Sequence, residues 1–451
     1  MSKQSINTNT IYDVIGVGLG PFNLGLAALL DPITEVNALF LEQKEQFAWH
    51  PGLLLENTTL QVPFFADLVT MANPTSPYSY LNYLKHQKRL YHFYFLERFH
   101  VPRKEFSHYC HWVSEQLESC RFGKQVVGIE FHQQDDPTQN YYEICVRDTS
   151  SEQMELLRCK HLVLGVGTSP VLDKKFSLLS EQDIFHSSQF LERLDRCREA
   201  HRITVVGSGQ SAAEVFLTLL QDQTNYGYDL NWYTRSTGFF PMEYSKLGLE
   251  HFSPDYTRYF YSLPQDKRDE RRSKQDLLYK GISATTIADI YDLLYERTVG
   301  GQAIPATLQA MTSLQSIQSM PDGTYELTLT HTEQQISFTH QSDVIILATG
   351  YASQVDQLLQ PFGEYIQRDE KQRPIIQEDY QIATQGSQYN RIYLQNGELH
   401  SHGIGAPDLG LGAYRNSIII NSLCDSEVYP VQERNVFQHF GTTKVPTLAQ
   451  M

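Results

Sequence analysis

The chain has 451 residues, of which 41% are hydrophobic and 20% are charged, and its net charge is −16. This balance is typical of a folded globular protein and excludes a largely disordered chain. The negative charge argues against a nucleic-acid partner, because it repels phosphate backbones. It would attract a cationic substrate, although many enzymes are acidic for solubility alone.

The N-terminal residues and the cysteines bear on location. The start has no basic region followed by an apolar core and a cleavage site, so its apolar residues are expected to form a strand and not a signal peptide. No window approaches the ~18 unbroken apolar residues of a membrane span. The six cysteines show no C-x-x-C pair and no metal-ligand spacing. We therefore expect a cytoplasmic protein without a metal site.

The first element in chain order is a β-α-β unit. A strand at 12–17, which contains Gly16, turns at Gly18-Leu19-Gly20-Pro21-Phe22-Asn23 into a helix-like stretch. The turn fits the G-x-G-x-x-G pattern, with Asn23 in place of the third glycine. The next strand, at 36–41, ends at Glu42, which is placed to accept hydrogen bonds from a ribose. The unit predicts a dinucleotide whose pyrophosphate lies at the start of the helix.

A second unit of the same kind follows a strand-like run at 161–168. The strand at 202–206 enters Gly207-Ser208-Gly209-Gln210-Ser211-Ala212 and a helix, and the following strand ends at Arg235. A carboxylate there would pair with a free 2′-hydroxyl, whereas an arginine offers a charged fork to a 2′-phosphate. NADPH is therefore favoured over NADH, the alternative being an ordinary surface arginine.

The rest of the chain predicts how the two units are joined. Helix-like spacing fills 239–300, two short strands near 325–338 indicate a small antiparallel element, and a buried strand at 343–351 closes on glycine. We interpret that last strand as a return to the first unit. The predicted fold is α/β, with two Rossmann-like dinucleotide-binding domains for FAD and NADPH and a helical insertion. The predicted boundaries are 8–197 with 340–425 for FAD, 198–339 for NADPH, about 239–300 for the insertion, and 426–451 for a tail.

Two dinucleotide units without a redox cysteine pair favour a flavin monooxygenase over a disulfide reductase. Short motifs in chain order then resemble one family, the siderophore-pathway N-hydroxylating monooxygenases that act on lysine, ornithine or diamines. The resemblance runs from about Tyr12 to Arg415. Its motifs are Phe47-Ala48-Trp49-His50-Pro51-Gly52, Leu60-Gln61-Val62, Asp67-Leu68-Val69, Pro74-Thr75-Ser76-Pro77-Tyr78-Ser79, Asn82-Tyr83-Leu84, Gly209-Gln210-Ser211-Ala212, Ala348-Thr349-Gly350-Tyr351 and His402-Gly403-Ile404.

The resemblance implies three groups of site residues. FAD would be bound by Gly16, Gly18, Gly20, Pro21, Asn23, Glu42, Trp49, His50, Gln61, Val126, Pro407, Asp408 and Leu409. NADPH would be bound by Gly207, Ser208, Gly209, Gln210, Ser211, Arg235, Gly281, Ile282 and Ser283. The substrate would lie among Gln61, Ala66, Leu249, Glu250, His251, Phe252 and Gly410. Taken singly, Trp49 and His50 are more often packing residues, and Gln61 in a strand could face solvent.

The family's reaction implies FAD and NADPH as cofactors and O2 as co-substrate, and the bound flavin performs the oxygen chemistry. The protein orients the amine and excludes water. A free amine has a pKa of roughly 10.4 and must lose its proton before it reacts. No side chain is assigned as the base or as any other catalytic residue.

Three positions bear on which amine is the substrate. In the lysine and ornithine hydroxylases of this family a lysine stands five residues beyond the glutamine and is thought to hold the substrate carboxylate. Ala66 occupies that place here, and Leu249 and Gly410 replace polar side chains. A buried carboxylate without its cation is costly. We therefore expect a diamine, with putrescine or cadaverine ahead of 1,3-diaminopropane and histamine.

Several alternatives stay open at this point. Within the family, the substrate could be lysine or ornithine. In a different class, the chain could be an NADPH oxidase or an electron-transfer flavoprotein, or a non-enzymatic binding protein that keeps the nucleotide fold. Formation of a hydroxylamine separates these classes. The resemblance also implies a homo-oligomer.

Overall fold

A computed structural model describes residues 10–173, 176, 180, 182–386 and 389–442. The strands are β1 Ile11–Val17, β2 Ala38–Leu41, β3 Cys120–Arg121, β4 Lys124–His132, β5 Tyr141–Asp148, β6 Met154–Leu164, β7 Thr168–Pro170, β8 Ile184–His186, β9 Arg202–Val206, β10 Asp229–Tyr233, β11 Ala306–Gln309, β12 Thr312–Ser319, β13 Tyr325–His331, β14 Ile336–Ser342, β15 Val344–Leu347, β16 Tyr351–Ser353 and β17 Ile392–Leu394.

The helices alternate with these strands through much of the chain. They are α1 Pro21–Leu30, α2 Tyr80–His86, α3 Leu90–Leu96, α4 Arg103–Ser114, α5 Phe190–Arg198, α6 Gln210–Tyr226, α7 Lys246–Leu249, α8 Pro254–Ser262, α9 Gln265–Ser273, α10 Asp276–Tyr279, α11 Ala284–Arg297, α12 Val355–Leu359, α13 Leu399–His402 and α14 Gly412–Leu423. Within the described ranges, no helix is long and apolar enough to cross a bilayer.

The first sheet is built around β1. Its order is β3-β2-β1-β6-β5-β4, and β17 also pairs with the end of β6. The pairs β1–β2, β1–β6 and β6–β17 are parallel, whereas the pairs β4–β5 and β5–β6 are antiparallel. A core shared by α1, α2, α4 and α14 covers one face of the parallel part. The β1–α1 turn therefore emerges at the carboxyl end of a central, buried strand.

The second sheet is parallel throughout, in the order β11-β10-β9-β15-β8. Its centre is β9, which leads into the second glycine turn and α6. The core between α6 and this sheet includes fully buried Trp232 and Phe216. Both glycine turns thus follow the same local plan, a buried strand entering a helix. The expected α/β class with two Rossmann-like units is confirmed.

The interpretation of strand 343–351 was wrong. β15 pairs with β9, and β8 pairs with β15, so residues 184–186 and 344–347 lie in the second sheet. The chain returns to the first sheet later, through β17. A continuous apolar run such as β15 is buried on both faces and gives no pattern that tells one sheet from another. We therefore propose that the second unit spans about 184–348, and not 198–339.

Candidate active site

A cavity of about 3270 Å³ runs between the two glycine turns. Its walls come from the β1–α1 turn, the segment after β2, the β9–α6 turn, α7 with the residues after it, and the loop before α14. Most of the residues expected to hold the nucleotides or substrate line it. They are Gly18, Gly20, Pro21, Glu42, Trp49, His50, Gln61, Ala66, Val126, Gly207, Ser208, Gly209, Gln210, Ser211, Arg235, Leu249, Phe252, Gly281, Ser283, Pro407, Asp408, Leu409 and Gly410.

The glycines of the first turn serve different purposes. Gly18 has a φ of +82°, and a Cβ there would lie 2.6 Å from the carbonyl oxygen of Gly165, so both the turn and the packing exclude a side chain. Gly20 has an ordinary φ of −77°, and a Cβ there would meet nothing within 4 Å. Its missing side chain leaves open space directly before the N-terminus of α1, which suits a pyrophosphate.

Two expected flavin residues, Gly16 and Asn23, lie behind this turn and not in the cavity wall. Gly16 is packed against Phe40, whose Cδ1 would lie 2.2 Å from an added Cβ. Asn23 is fully buried. Its Nδ2 donates to the carbonyl oxygen of Gly18 at 2.7 Å, and its Oδ1 accepts from Gln395 Nε2 at 2.8 Å. The asparagine therefore fixes the turn from behind.

Glu42 is tied to the same turn. Its Oε2 accepts the backbone N–H of Leu19 at 2.9 Å, and its Oε1 accepts that of Lys44 at 3.0 Å. The carboxylate lines the cavity at the end of β2, where a ribose would lie in a β-α-β unit. Lys44 also lines the cavity, and its Nζ donates to the backbone carbonyl oxygen of Ala48 at 2.9 Å.

The second turn is joined to the helical insertion by Gln210. Its Oε1 accepts the backbone N–H of Ser283 at 2.6 Å, and its Nε2 donates to Glu214 at 2.8 Å and to Thr286 at 3.0 Å. These contacts hold 281–286 over the turn, so that Gly281 and Ser283 line the cavity. Ile282 is fully buried and faces the core instead. Its expected nucleotide contact stays a prediction. The side chain points away from the cavity because alternate residues of an extended segment point in opposite directions.

Arg235 lies beyond β10, on the cavity wall near the second turn, and is exposed. The preceding Thr234 is buried and ties the segment to β11 through its backbone N–H, which donates to Gln309 O at 3.1 Å. The guanidinium thus stands at the end of the strand that follows the nucleotide turn. A 2′-phosphate is recognised at this place in such folds.

Trp49 and His50 lie where the two nucleotide regions meet. The Trp49 ring packs edge-on against Phe106 at 5.2 Å and against His50 at 5.1 Å, and the His50 ring meets Tyr351 at 5.7 Å. Desolvation by the surrounding protein, with the nearby charges of Arg103 and Lys44, lowers the pKa of His50 to about 4. His50 is therefore a neutral ring at physiological pH.

Gln61 presents an unsatisfied amide to the cavity. Its Nε2 is buried and has no hydrogen-bond partner within the part of the chain that the structure describes. Tyr244, a cavity residue that sequence reasoning missed, donates from its hydroxyl to the backbone carbonyl oxygen of Gln61 at 3.4 Å. A buried amide is costly unless it is hydrogen-bonded. This N–H donor therefore suits an oxygen or nitrogen acceptor on a bound flavin or substrate.

Ala66 and Gly410 meet at one end of the cavity. A Cβ built on Gly410 would lie 3.8 Å from the Cβ of Ala66. Asp408 stands beside them, and its Oδ1 accepts the backbone N–H of Gly410 at 2.7 Å. Desolvation raises the pKa of Asp408 to about 6, and burial with the Asp408 charge raises that of Tyr244 to about 12. This end of the cavity carries a carboxylate, and Ala66 brings no cation to it.

These features agree with what comparison with known proteins finds. Residues 10–353 match the sequence profile of the L-lysine 6-monooxygenase/L-ornithine 5-monooxygenase family. The chain belongs to this family. It is 42% identical to a putrescine N-hydroxylase from Shewanella oneidensis over 98% of this chain and 86% of the relative. It is 32% identical to an L-lysine N6-monooxygenase from Escherichia coli over 92% of this chain and 95% of the relative.

Solved structures agree. The FAD-bound cadaverine monooxygenase of the desferrioxamine pathway from Erwinia amylovora matches with a TM-score of 0.91 and 41% identity, covering 97% of this chain and all of that one. An ornithine N-hydroxylase from Kutzneria, with reduced FAD, NADP+ and L-ornithine, matches with a TM-score of 0.85 and 26% identity over 92% of this chain and 99% of that one. As a member of this family, the chain is a flavin N-monooxygenase that uses FAD, NADPH and O2.

In this monooxygenase, the substrate contacts expected of Glu250 and His251 stay predictions, and neither side chain is part of the cavity wall. Leu249 and Phe252 line the cavity, but the two residues between them face away. Glu250 accepts the backbone N–H groups of Phe437 and Gln438 at 3.1 and 3.0 Å. The His251 ring packs against Tyr256 at 4.7 Å and Phe440 at 5.1 Å. The turn after α7 sends neighbouring side chains to opposite sides, which a motif match does not reveal.

Proposed function

We propose that this monooxygenase hydroxylates one nitrogen of a primary aliphatic diamine, with putrescine or cadaverine as the substrate. The observation that carries the proposal is the charge at the end of the cavity formed by Ala66, Asp408 and Gly410. A diamine brings a second ammonium to that end, whereas lysine and ornithine bring a carboxylate. The local charge there decides between the two substrate classes.

Asp408 supplies the complementary charge. Its carboxylate stands within contact range of the wall formed by Gly410 and Ala66. An ammonium ion placed there gains an opposite charge and a charge-assisted hydrogen bond. A substrate carboxylate would meet a like charge and, because Ala66 replaces the family's lysine, no cation. Unpaired charges in a desolvated pocket are strongly disfavoured.

Relatives support the same substrate class. Besides the Shewanella enzyme, a putrescine N-hydroxylase from Acinetobacter baumannii is 40% identical over 97% of this chain. A rhizobactin siderophore biosynthesis protein from Rhizobium meliloti is 43% identical over 96% of it. We therefore propose that the N-hydroxylated amine is a precursor of a hydroxamate-type siderophore.

The side chains position the reactants around the bound cofactors. FAD, when bound and reduced by NADPH, activates O2 for transfer of one oxygen atom to the amine. The first glycine turn and Glu42 would hold the flavin nucleotide, and Arg235 the NADPH phosphate. Gln61 offers its free N–H to the same cavity, and the end of the cavity formed by Ala66, Asp408 and Gly410 is here called the amine end. Leu249 and Phe252 provide apolar walls that exclude water from that end.

A hydroxylamine assay tests the proposal. Purified enzyme with FAD and NADPH is offered putrescine, cadaverine, 1,3-diaminopropane, histamine, lysine, ornithine and 1-aminobutane, and hydroxylamine and NADPH oxidation are both measured. We expect the highest kcat/KM with a diamine. Preference for lysine or ornithine would contradict the substrate class. NADPH oxidation without hydroxylamine from any amine would indicate an oxidase or electron-transfer flavoprotein.

We further propose a cytoplasmic homo-oligomer. The free cysteines Cys110, Cys120, Cys145, Cys159, Cys197 and Cys424 are consistent with a reducing compartment. An exposed aromatic cluster supports self-association, with Tyr91, Tyr94 and Phe95 at 79%, 70% and 73% exposure. Analytical ultracentrifugation of wild type and Phe95→Glu tests this. A wild type that sediments as a monomer would contradict it.

A further inference from the structure

The described C-terminal residues 430–442, here called the C-terminal strap, lie against residues 246–262, here called the amine-side segment. The strap has almost no regular secondary structure, so side chains hold it in place. The Glu250 carboxylate accepts the backbone N–H groups of Phe437 and Gln438 and also the Nε2 of Gln438 at 3.0 Å. The same Nε2 donates to the carbonyl oxygen of Leu247 at 2.6 Å. These bonds fix the short helix α7.

Further contacts tie the strap to α8. Asp255 Oδ2 accepts the backbone N–H and the Nδ2 of Asn435 at 3.0 and 2.9 Å. Arg258 donates to the carbonyl oxygens of Gln432 and Glu433. The strap thus contacts two successive turns of the helix through both carboxylate and guanidinium groups.

Phe440 completes the attachment. Its ring lies 4.9 Å from that of Tyr256 and 5.1 Å from that of His251, edge-on to both, and 6.2 Å from Tyr259. Aromatic pairs of this geometry contribute beyond their buried area. By contrast, the Phe437 side chain on the same strap is 88% exposed. Only one of the two phenylalanine rings therefore anchors the strap.

The amine-side segment needs such support. Helix α7 has four residues and none is buried, with Leu247 and Leu249 60% and 40% exposed. A helix of this length is not stable by itself. Yet Leu249 and Phe252, which flank the strap-bound Glu250 and His251, form part of the cavity wall. Whatever fixes α7 also fixes that wall.

The strap also supports the Asp408 side of the cavity through α8. Phe260 of α8 packs against Gly403, and a Cβ added to Gly403 would lie 3.0 Å from the Phe260 ring. Thr257 of α8 packs against Gly405, and a Cβ added to Gly405 would lie 3.3 Å from the Thr257 hydroxyl. Residues 403–405 lead directly into Pro407, Asp408 and Gly410. Both walls of the amine end therefore rest on a segment that the strap holds from behind.

We propose that the C-terminal strap is a positioning element for the amine end of the active site, controlling amine affinity and the coupling of NADPH oxidation to N-hydroxylation. The inference rests on the proposed diamine function. No strap residue touches the cavity within the described chain, so the strap acts through Glu250, His251 and α8. Small displacements of positioning elements are enough to lower turnover strongly.

Two variants test the inference, with a matched control. Phe440→Ala removes the anchoring ring, and Glu250→Gln removes the charge that binds the strap backbone. Each is expected to raise the KM for putrescine ~10- to 100-fold and to lower hydroxylamine formed per NADPH oxidised. FAD content and the KM for NADPH should stay at wild-type values. Phe437→Ala, which removes an exposed ring from the same strap, should behave as wild type.

Hydrogen exchange separates the possible outcomes. Amides of residues 246–262 are expected to exchange faster in Phe440→Ala and Glu250→Gln than in wild type or Phe437→Ala. Faster exchange with unchanged amine KM and coupling would overturn the inference, as would unchanged exchange. A wild type that forms no hydroxylamine from any diamine would instead refute the proposed function, and the exchange experiment would still report whether the strap holds the segment.

Discussion

Arg103 and Glu214 form a bidentate ion pair, with Nη2–Oε1 and Nη1–Oε2 distances of 2.7 and 2.8 Å. Arg103 begins α4 beside the first sheet, and Glu214 lies in the first turns of α6 in the second unit. Glu214 also accepts from Gln210 of the nucleotide turn. The Arg103 and Glu214 side chains are only 12% and 5% exposed, so this pair joins the two units in a poorly solvated place.

Arg103→Met should therefore destabilise the protein by about 3–5 kcal/mol, because it leaves the Glu214 charge buried without its cationic partner. Adding Glu214→Gln removes the orphaned charge and should restore part of the loss. Urea unfolding followed by tryptophan fluorescence measures both. Equal stability of Arg103→Met and wild type would show that the pair contributes nothing.

Gly20→Val should yield protein with little bound FAD. Gly20 has an ordinary φ of −77°, so the turn itself accepts valine. The obstruction is steric, since the side chain would fill the space before α1. The flavin-to-protein absorbance ratio measures this. As control, Gly128→Ala adds a methyl group to β4 of the same sheet, 3.8 Å from the Cys145 Cβ, and should retain flavin. Full flavination of Gly20→Val would place the pyrophosphate elsewhere.

Arg235→Ala should raise the KM for NADPH by ~10- to 100-fold, which corresponds to losing a charge-assisted contact of roughly 1.5–3 kcal/mol. NADH, which has no 2′-phosphate, should be little affected. Arg235→Lys keeps the positive charge but not the forked guanidinium. Its KM for NADPH should fall between those of wild type and Arg235→Ala. Steady-state kinetics with each nucleotide provide the measurement, and equal losses with NADPH and NADH would argue against the assignment.

Ala66→Lys should lower kcat/KM for putrescine by about 100-fold, because it introduces a like charge where the second ammonium lies and a competitor for Asp408. Ala66→Met has similar length without charge and should lose much less. Hydroxylamine formation is compared at equal flavin content. An Ala66→Lys enzyme that uses putrescine as well as the methionine variant does would show that charge at this position does not select the substrate.

Asp408 predicts a pH effect. Its pKa is raised to about 6, so the carboxylate is charged above that pH and loses its charge as the pH falls through about 6. Diamine affinity should weaken over that range, whereas 1-aminobutane, which lacks the second ammonium, should not show this effect. Asp408→Asn should abolish the difference between the two amines. The measurement is the pH dependence of the KM for the diamine and of the KM for 1-aminobutane. Identical pH profiles for the two amines in the wild-type enzyme would contradict the role of Asp408.

Local patterns predicted the nucleotide turns well, because glycines that a turn or ligand requires, such as Gly18 and Gly20, recur at a fixed spacing in the sequence. Contacts between distant segments produce no such sequence pattern. Neither the membership of β15 in the second sheet nor the binding of Glu250 to the strap follows from neighbouring residues. Asp408 was placed by resemblance near the flavin, but only the fold brings it beside Ala66.

The hydrogen bond from Gln395 to Asn23 spans 372 residues, and it bears on the order in which the protein is made. Every strand of the second sheet lies between residues 184 and 347 within the described chain, so that sheet can assemble while synthesis continues. The first glycine turn, although made earlier, gains its support from Gln395 and β17 only after the last strand of the second sheet has been made. A nascent chain on the ribosome would therefore complete its second nucleotide unit before its first. Flavin capture would then follow the assembly of the second unit.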